Sequence, residues 1–137
     1  MKTGIVIFAH GSSIASANEA VRGVAEQVAR QGGFELVEAA YLEQGTPDLK
    51  EAVERVISRG ASRVLVVPYF LTLGLHLQRD LPRIVDGISL IHPNVEIRVA
   101  PPLDGHPGMA QALIERARDG ERTWNDGEAA GSPRDRS

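Results

Sequence analysis

The sequence of 137 residues contains no cysteine. Disulfide bonds, cysteine-ligated zinc, iron–sulfur clusters and thiol catalysis are therefore excluded. The chain also has no basic field, because its formal net charge is −3 at pH 7, and this argues against a nucleic-acid-binding protein. Its apolar runs are only as long as a strand, and residues 1–9 lack the pattern of a signal peptide. We therefore expect a soluble, cytoplasmic protein without membrane contact.

Hydrophobic residues make up 42% of the chain, which is enough to form one packed domain at this length. The composition changes after Gly120, where Trp124 is the only large apolar side chain among small and polar residues. We therefore predict one α/β domain over residues 1–120 and a flexible C-terminal tail over residues 121–137. No internal repeat divides the domain further.

Short apolar runs alternate with longer amphipathic stretches along the domain. This alternation indicates right-handed βαβ units, which give a parallel sheet with helices on both faces. We predict a small flavodoxin-like three-layer sandwich whose parallel sheet has about four strands. The predicted strands are residues 3–9, 34–41, 63–69 and 95–100, and the predicted helices are residues 15–31, 46–59, 80–90 and 107–118.

Two helix starts carry recognisable signals. Thr46-Pro47-Asp48 predicts the start of the second helix, with the Thr46 hydroxyl as its cap and a carboxylate near the positive end of the helix dipole. Pro82 predicts that the third helix becomes regular only near Asp80, after a loop over Phe70–His76.

Polar side chains follow three of the predicted strands: His10 after the first, Glu43 after the second and His76 after the third. In a parallel sheet the carboxyl ends of the strands share one edge, which is where ligands bind. Two imidazoles and a carboxylate suit divalent metals such as Co²⁺, Fe²⁺, Ni²⁺ or Zn²⁺, and imidazole also accepts protons near neutral pH. Taken singly, each residue has a structural explanation as a cap, a helix start or an exposed loop carboxylate.

Other polar residues carry weaker signals. The turn Gly11-Ser12-Ser13 is able to hold a carboxylate or phosphate on backbone N–H groups, but it has neither a Walker lysine nor a GxGxxG pattern. His92 and His106 precede prolines, which is typical of turns and helix starts. Asp80 is either a hydrogen-bond partner of His76, four residues along a helix, or a solvated charge.

Three segments, VIFAHGSS, YLEQGTPDLKEAV and VVPYFLTLGLHLQRDLP, resemble the short-form sirohydrochlorin chelatases of the class II chelatase family. The resemblance covers about residues 3–118. It implies a lyase that inserts Co²⁺ or Fe²⁺, or Ni²⁺ as in archaeal relatives, into the tetrapyrrole sirohydrochlorin and releases two protons. The pathway would be cobalamin or sirohaem biosynthesis, and no cofactor beyond the metal substrate would be needed. It also implies a homodimer, because short forms pair to rebuild the cleft of the two-lobed long forms.

The resemblance also implies residue roles. His10 matches the catalytic proton acceptor and a metal ligand, His76 matches the second metal-binding histidine, and Glu43 matches an assisting acidic residue. Thr46 and the loop Leu71–His76 match positions that contact the tetrapyrrole, whose carboxylates also need hydrogen-bond donors. The expected substrate-binding residues are Ser12, Ser13, Thr46, Leu71, Thr72, Leu73, Gly74, Leu75 and His76.

Two alternatives remain open at this level. A non-catalytic carrier of a tetrapyrrole or metal would use the same fold and the same residues. Phosphoryl transfer with His10 as acceptor is disfavoured, because Ala9 stands where a histidine-phosphatase motif has arginine. The absence of a histidine-rich stretch argues mildly against a nickel-specific chelatase.

Overall fold

A computed structural model of the chain describes residues 2–126. The described residues divide into two compact units, residues 2–103 and residues 104–126. No helix within residues 2–126 is long and apolar enough to span a lipid bilayer. The elements are β1 (Thr3–Ala9), α1 (Ala15–Gly32), β2 (Leu36–Tyr41), α2 (Leu49–Ser58), β3 (Arg63–Pro68), α3 (Leu75–Ile91) and β4 (Glu96–Val99) in the first unit, and α4 (Pro107–Asn125) in the second.

The first unit contains a four-stranded sheet in the order β2-β1-β3-β4, with every neighbouring pair parallel. Val6 at the centre of β1 pairs with Glu38 of β2 on one side and with Val66 of β3 on the other. The order matches the first four strands of flavodoxin-like sheets. The predicted parallel sheet is therefore confirmed.

Apolar side chains alternate between the two faces of the sheet, and each face has its own core. Val6 and Phe8 of β1 pack with buried residues of α2 and α3, such as Val53 and Leu81. Ile5, Ile7 and Ala9 face the opposite side, where Ala25 of α1 joins the second core. β1 is buried from Gly4 to Ala9 because it has helices on both sides, which explains its continuous apolar run. The three-layer arrangement is confirmed.

The two edge strands carry paired charges. β4 has four residues, and its Arg98 Nη2 lies 2.5 Å from the Oε2 of Glu96 on the same strand. On β2, Glu38 pairs with Arg59 at 2.8 Å and with Arg55 at 3.6 Å. Both edge strands of the sheet therefore carry salt bridges.

β2 begins two residues later than predicted, at Leu36 instead of Phe34. The N–H of Phe34 donates to the carbonyl of Ala29, and this bond closes the end of α1 after Gly33, whose φ is +71°. Phe34 therefore belongs to the end of the helix and does not pair with β1.

The prediction that Thr46 caps the second helix is wrong. α2 begins at Leu49, and Asp48 is its N-cap: the Asp48 carboxylate accepts from the Glu51 N–H at 2.9 Å, and the Glu51 carboxylate accepts from the Asp48 N–H at 3.1 Å. This reciprocal capping box satisfies two N–H groups with charged acceptors, so it is stronger than a single hydroxyl cap. Pro47 lies before the helix, and its carbonyl accepts from the Tyr41 N–H at 2.9 Å.

The predicted start of the third helix near Asp80 is also wrong, because α3 begins at Leu75. The Gln78 N–H donates to the Gly74 carbonyl at 3.0 Å, which forms the first helical turn. Pro82 lies inside the helix and removes one backbone hydrogen bond. Burial of Leu81, Val85 and Ile88 on the inner face offsets that loss. His76 therefore lies on a helix rather than in a loop.

The second unit contains α4, which continues to Asn125 and not only to Arg118 as predicted. Asp119 forms ion pairs with Arg116 and Arg122, one turn away on either side, and these pairs favour a continuous helix. The predicted tail therefore starts too early, since residues 121–125 are helical. Residues 127–137 lie outside the described residues.

Replacing Asp48 by alanine removes the α2 capping box. We expect the free energy of unfolding to fall by about 1 kcal/mol, because the N–H of Glu51 loses its acceptor. Urea denaturation followed by circular dichroism measures this change. Asp86→Ala, on the exposed side of α3, is the matched control and should change stability by less than about 0.5 kcal/mol. Equal effects of the two substitutions would contradict the capping role.

Candidate active site

The connections of the sheet reverse direction at β1. The chain passes from β1 through α1 to β2 on one side, and then from β2 through α2 to β3 on the other side. Such a switch point opens a crevice beyond the carboxyl ends of the two central strands, where ligands bind in sheets of this kind. His10 directly follows β1, and His76 is the second residue of α3, which follows β3.

His10 and Glu43 are in contact. The His10 Nε2 lies 3.4 Å from the Glu43 Oε2, and both side chains are more than half exposed. The backbone sets this proximity, because the Glu43 N–H donates to the His10 carbonyl at 3.0 Å. The His10 Nδ1 lies 3.1 Å from the Gly11 carbonyl, so each ring nitrogen of His10 has an acceptor oxygen beside it.

His10 and His76 line one open cavity of about 360 Å³ at this edge of the sheet. The Phe70 ring stands edge-on to the His10 ring, with centroids 6.4 Å apart. The structure thus brings the two predicted histidines to the same space, with Glu43 beside one of them. The cavity is lined by His10, Leu42, Phe70, Gly74, Leu75, His76, Leu77, Asp80 and Ile84.

The side-chain partner of His76 is Arg79 rather than Asp80. The Arg79 Nη2 lies 3.2 Å from the His76 Nδ1, three residues away on α3. Asp80 contributes to the cavity wall, so its carboxylate adds negative charge to the site. The structure therefore does not show Asp80 as the hydrogen-bond partner of His76.

Within residues 2–126, no three side chains of His, Asp or Glu form a cluster that could enclose a metal ion. The His10–Glu43 pair nevertheless has the spacing of two ligands on one ion. Atoms about 2.1 Å from a metal with a tetrahedral angle between them lie about 3.4 Å apart, and the His10 Nε2 to Glu43 Oε2 distance is 3.4 Å. This pair could therefore supply two ligands of one ion.

Only part of the predicted substrate-binding set lines the cavity. Gly74, Leu75 and His76 do, whereas the other predicted members lie outside its wall. The Ser12 N–H donates to the Asn18 Oδ1 and is therefore not free to bind a substrate carboxylate. The Ser12 Oγ accepts from the Ile14 N–H. The predicted residues outside the cavity wall are Ser12, Ser13, Thr46, Leu71, Thr72 and Leu73.

Asn18 is a positioning residue that sequence reasoning missed. Its buried side chain accepts from the Ser12 N–H at 2.9 Å and donates to the carbonyls of Ser12 and Gln44 at 2.8 and 2.9 Å. The Tyr41 hydroxyl donates to the Asn18 carbonyl at 2.7 Å, and burial raises the pKa of this hydroxyl above its ordinary value. The amide thus ties the loop after β1 to the loop after β2. The sequence signal that could have identified Asn18 is its position as a polar residue beside the apolar stripe of α1.

Gly11 allows the two loops to approach. Its φ is +94°, and a Cβ at this position would lie 1.7 Å from the carbonyl oxygen of Glu43. Any other residue would collide with the backbone that carries Glu43. The glycine after His10 is therefore required by the packing of the site.

The remaining histidines have structural contacts, as their sequence positions indicated. In the first unit, the His92 Nε2 lies 3.0 Å from the Glu54 Oε2, joining the end of α3 to α2, and the hydrogen bond from His92 lowers the pKa of Glu54. In the second unit, the His106 Nδ1 accepts from the Gly108 N–H at 2.8 Å and caps α4.

Comparison with known proteins identifies the family. The sequence profile of the CbiX family matches residues 4–120. The chain belongs to the CbiX family. The resemblance indicated by the histidine-containing motifs is thereby confirmed.

Curated relatives cover most of this CbiX-family chain. The sirohydrochlorin cobaltochelatase of Methanopyrus kandleri is 28% identical over 135 residues, which span 84% of this chain and 94% of the relative. The sirohydrochlorin cobaltochelatase of Saccharolobus islandicus is 32% identical over 122 residues, with 85% and 94% coverage. The chain is therefore similar in length to these relatives.

Solved structures of two lengths share the fold. The CbiX protein of Marinobacter aquaeolei VT8 superposes with a TM-score of 0.77 at 31% identity, over 88% of this chain and 98% of that one. The sirohydrochlorin chelatase SirB of Bacillus subtilis subspecies spizizenii, in complex with cobalt, superposes with a TM-score of 0.80 at 24% identity, over 87% of this chain but 51% of SirB. This chain corresponds in fold to about half of SirB.

Replacing Asn18 by alanine should loosen both loops of the site. We expect a loss of about 2–3 kcal/mol in the free energy of unfolding, because three hydrogen bonds disappear and their partners stay partly buried. Chemical denaturation measures the loss. Gln27→Ala, an exposed amide on the same helix, serves as the control and should be close to neutral. An Asn18→Ala variant as stable as the control would refute the bridging role.

Proposed function

We propose that this chain inserts a divalent metal ion, Co²⁺ or Fe²⁺, into sirohydrochlorin and releases two protons, which is a lyase activity. The observation that carries the proposal is the meeting of His10, Glu43 and His76 at the switch-point cavity. The names of the curated relatives support it and favour Co²⁺. Imidazole and carboxylate ligands suit Co²⁺ and Fe²⁺ alike.

The chemistry requires two pyrrole N–H bonds to break as metal–nitrogen bonds form. Once the ion has passed to the pyrrole nitrogens, the His10 imidazole accepts one proton, and the Gly11 carbonyl beside its Nδ1 and the Glu43 carboxylate beside its Nε2 then face the two N–H groups of the imidazolium. The Glu43 carboxylate, 3.4 Å from that Nε2, offsets the positive charge of the resulting imidazolium. Glu43 or water takes the second proton.

Sparse coordination suits a metal that is a substrate and not a resident ion. His10 and His76 replace part of its water shell, and the remaining positions stay open to the pyrrole nitrogens. No cofactor beyond the metal substrate is proposed. The cytoplasmic location stays a prediction, and a nickel-specific chelatase stays an open alternative.

The histidine pair is tested by His10→Ala and His76→Ala. Each should lower the rate of Co²⁺ insertion about 100-fold, because a proton acceptor or a ligand is lost. The absorbance change of sirohydrochlorin, corrected for the metal-only rate, measures insertion. His92→Gln is the matched control and should keep the wild-type rate, since His92 contacts Glu54 outside the cavity wall.

Two results would count against this assignment. Near-wild-type rates in either alanine variant would show that the pair is not used. Binding of sirohydrochlorin by the wild-type chain with no acceleration over the metal-only rate would favour the carrier function.

We also propose that two copies of the chain form the complete substrate site. The cavity is open, and Leu75 in its wall is 78% exposed, while Leu71, four residues earlier in the chain, is 71% exposed. Exposed apolar side chains can mark interaction surfaces. A second copy would cover them and enclose the flat macrocycle.

Light scattering at micromolar concentration should give twice the mass of one chain. Leu71→Asp should shift the protein toward the monomer and lower insertion, because a buried charge opposes association. Leu90→Asp is the control, since Leu90 is 83% exposed near the far end of α3 and should leave the dimer intact. A wild-type monomer, or dissociation caused only by Leu90→Asp, would contradict this interface.

A further inference from the structure

Arg79 occupies a position that restricts what His76 can do. Its Nη2 lies 3.2 Å from the His76 Nδ1. A guanidinium has only donors, so in this contact Nδ1 must be the acceptor. A neutral imidazole has one acceptor nitrogen, and the other nitrogen carries the proton. The contact therefore fixes the Nδ1 lone pair as the only free lone pair of His76, and Arg79 occupies it.

A metal ion needs the same lone pair. If the ion binds Nδ1, it displaces the Arg79 N–H directly. If it binds Nε2, the proton must move to Nδ1, which then has no lone pair for Arg79. In both cases His76 cannot ligate a metal as a neutral imidazole while it accepts a hydrogen bond from Arg79. Arg79 and the metal ion are competitors for one lone pair.

The guanidinium has a better partner available in the substrate. Several other arginines pair with carboxylates of this chain, for example Arg22 with Glu19 and Arg59 with Glu38. No carboxylate among the described residues lies within salt-bridge distance of Arg79. Its side chain forms a hydrogen bond with His76. Sirohydrochlorin carries many carboxylates at its rim, and a carboxylate binds guanidinium through two charge-assisted hydrogen bonds.

We propose that Arg79 is a positioning residue that blocks metal binding at His76 until a carboxylate of the tetrapyrrole withdraws the guanidinium. This inference rests on the proposed function. It assigns an order to the site, in which the tetrapyrrole binds first and His76 then becomes free to take the ion. Arg79 also contributes to the affinity for the tetrapyrrole through the same carboxylate.

Isothermal titration of Co²⁺ into the chain without tetrapyrrole tests the competition. Arg79→Ala should bind Co²⁺ about three- to tenfold more tightly than the wild type, because one hydrogen bond no longer has to break. The KM for sirohydrochlorin should rise by a similar factor, with a smaller change in kcat. Arg79→Lys should lie between the two, since an ammonium donates but lacks the planar fork.

Two controls separate this competition from a general charge effect. Arg83→Ala removes the same charge from the next turn of α3, on an exposed site, and should leave both the Co²⁺ affinity and the KM unchanged within about twofold. In a His76→Ala background, Arg79→Ala should no longer strengthen Co²⁺ binding, because the shared lone pair is gone.

Weaker or equal Co²⁺ binding by Arg79→Ala would overturn the proposal, and so would a gain that persists in the His76→Ala background. Thermal melting of each variant checks that the fold is kept. A wild-type chain that inserts no metal would instead contradict the proposed function. The calorimetric comparison would still decide whether Arg79 and the ion compete for His76.

Discussion

The side-chain amide of Asn18 holds the site together. It bonds to the loop after β1 and to the loop after β2, and those loops carry His10 and Glu43. Because the amide is buried and fully engaged, the loops cannot separate without leaving polar groups unsatisfied. Gly11 permits the approach that Asn18 enforces. Asn18 takes no part in the chemistry, but its side-chain bonds reinforce the backbone hydrogen bond that holds Glu43 beside His10.

The sequence predicted the parts of the fold that depend on strong local patterns. The continuous apolar run of β1 indicates a strand with helices on both faces, and parallel strand ends place His10, Glu43 and His76 on one edge. The resemblance of three sequence segments to the chelatase family then predicted the substrate. The roles of His10, His76, Glu43 and the substrate-binding residues stay predictions.

The errors arose where tertiary contacts override local signals. Pro82 marks a helix boundary in isolation, but three buried apolar residues hold α3 helical across it. Thr46 is a good cap by type, yet the Asp48–Glu51 capping box starts α2 two residues later. Asn18 and Arg79 were missed because their importance lies in particular hydrogen bonds, and sequence spacing does not show which bonds form.

The charged edges of the sheet have a consequence for assembly. An unprotected edge strand can pair with the same strand of another copy, and such pairing can continue without limit into fibres. β4 is short and carries the Glu96–Arg98 pair, while Glu38 on β2 is held by Arg55 and Arg59. Extension of the sheet by pairing with another copy is therefore disfavoured at both edge strands. A contact between two copies would therefore have to use a surface other than the two edge strands.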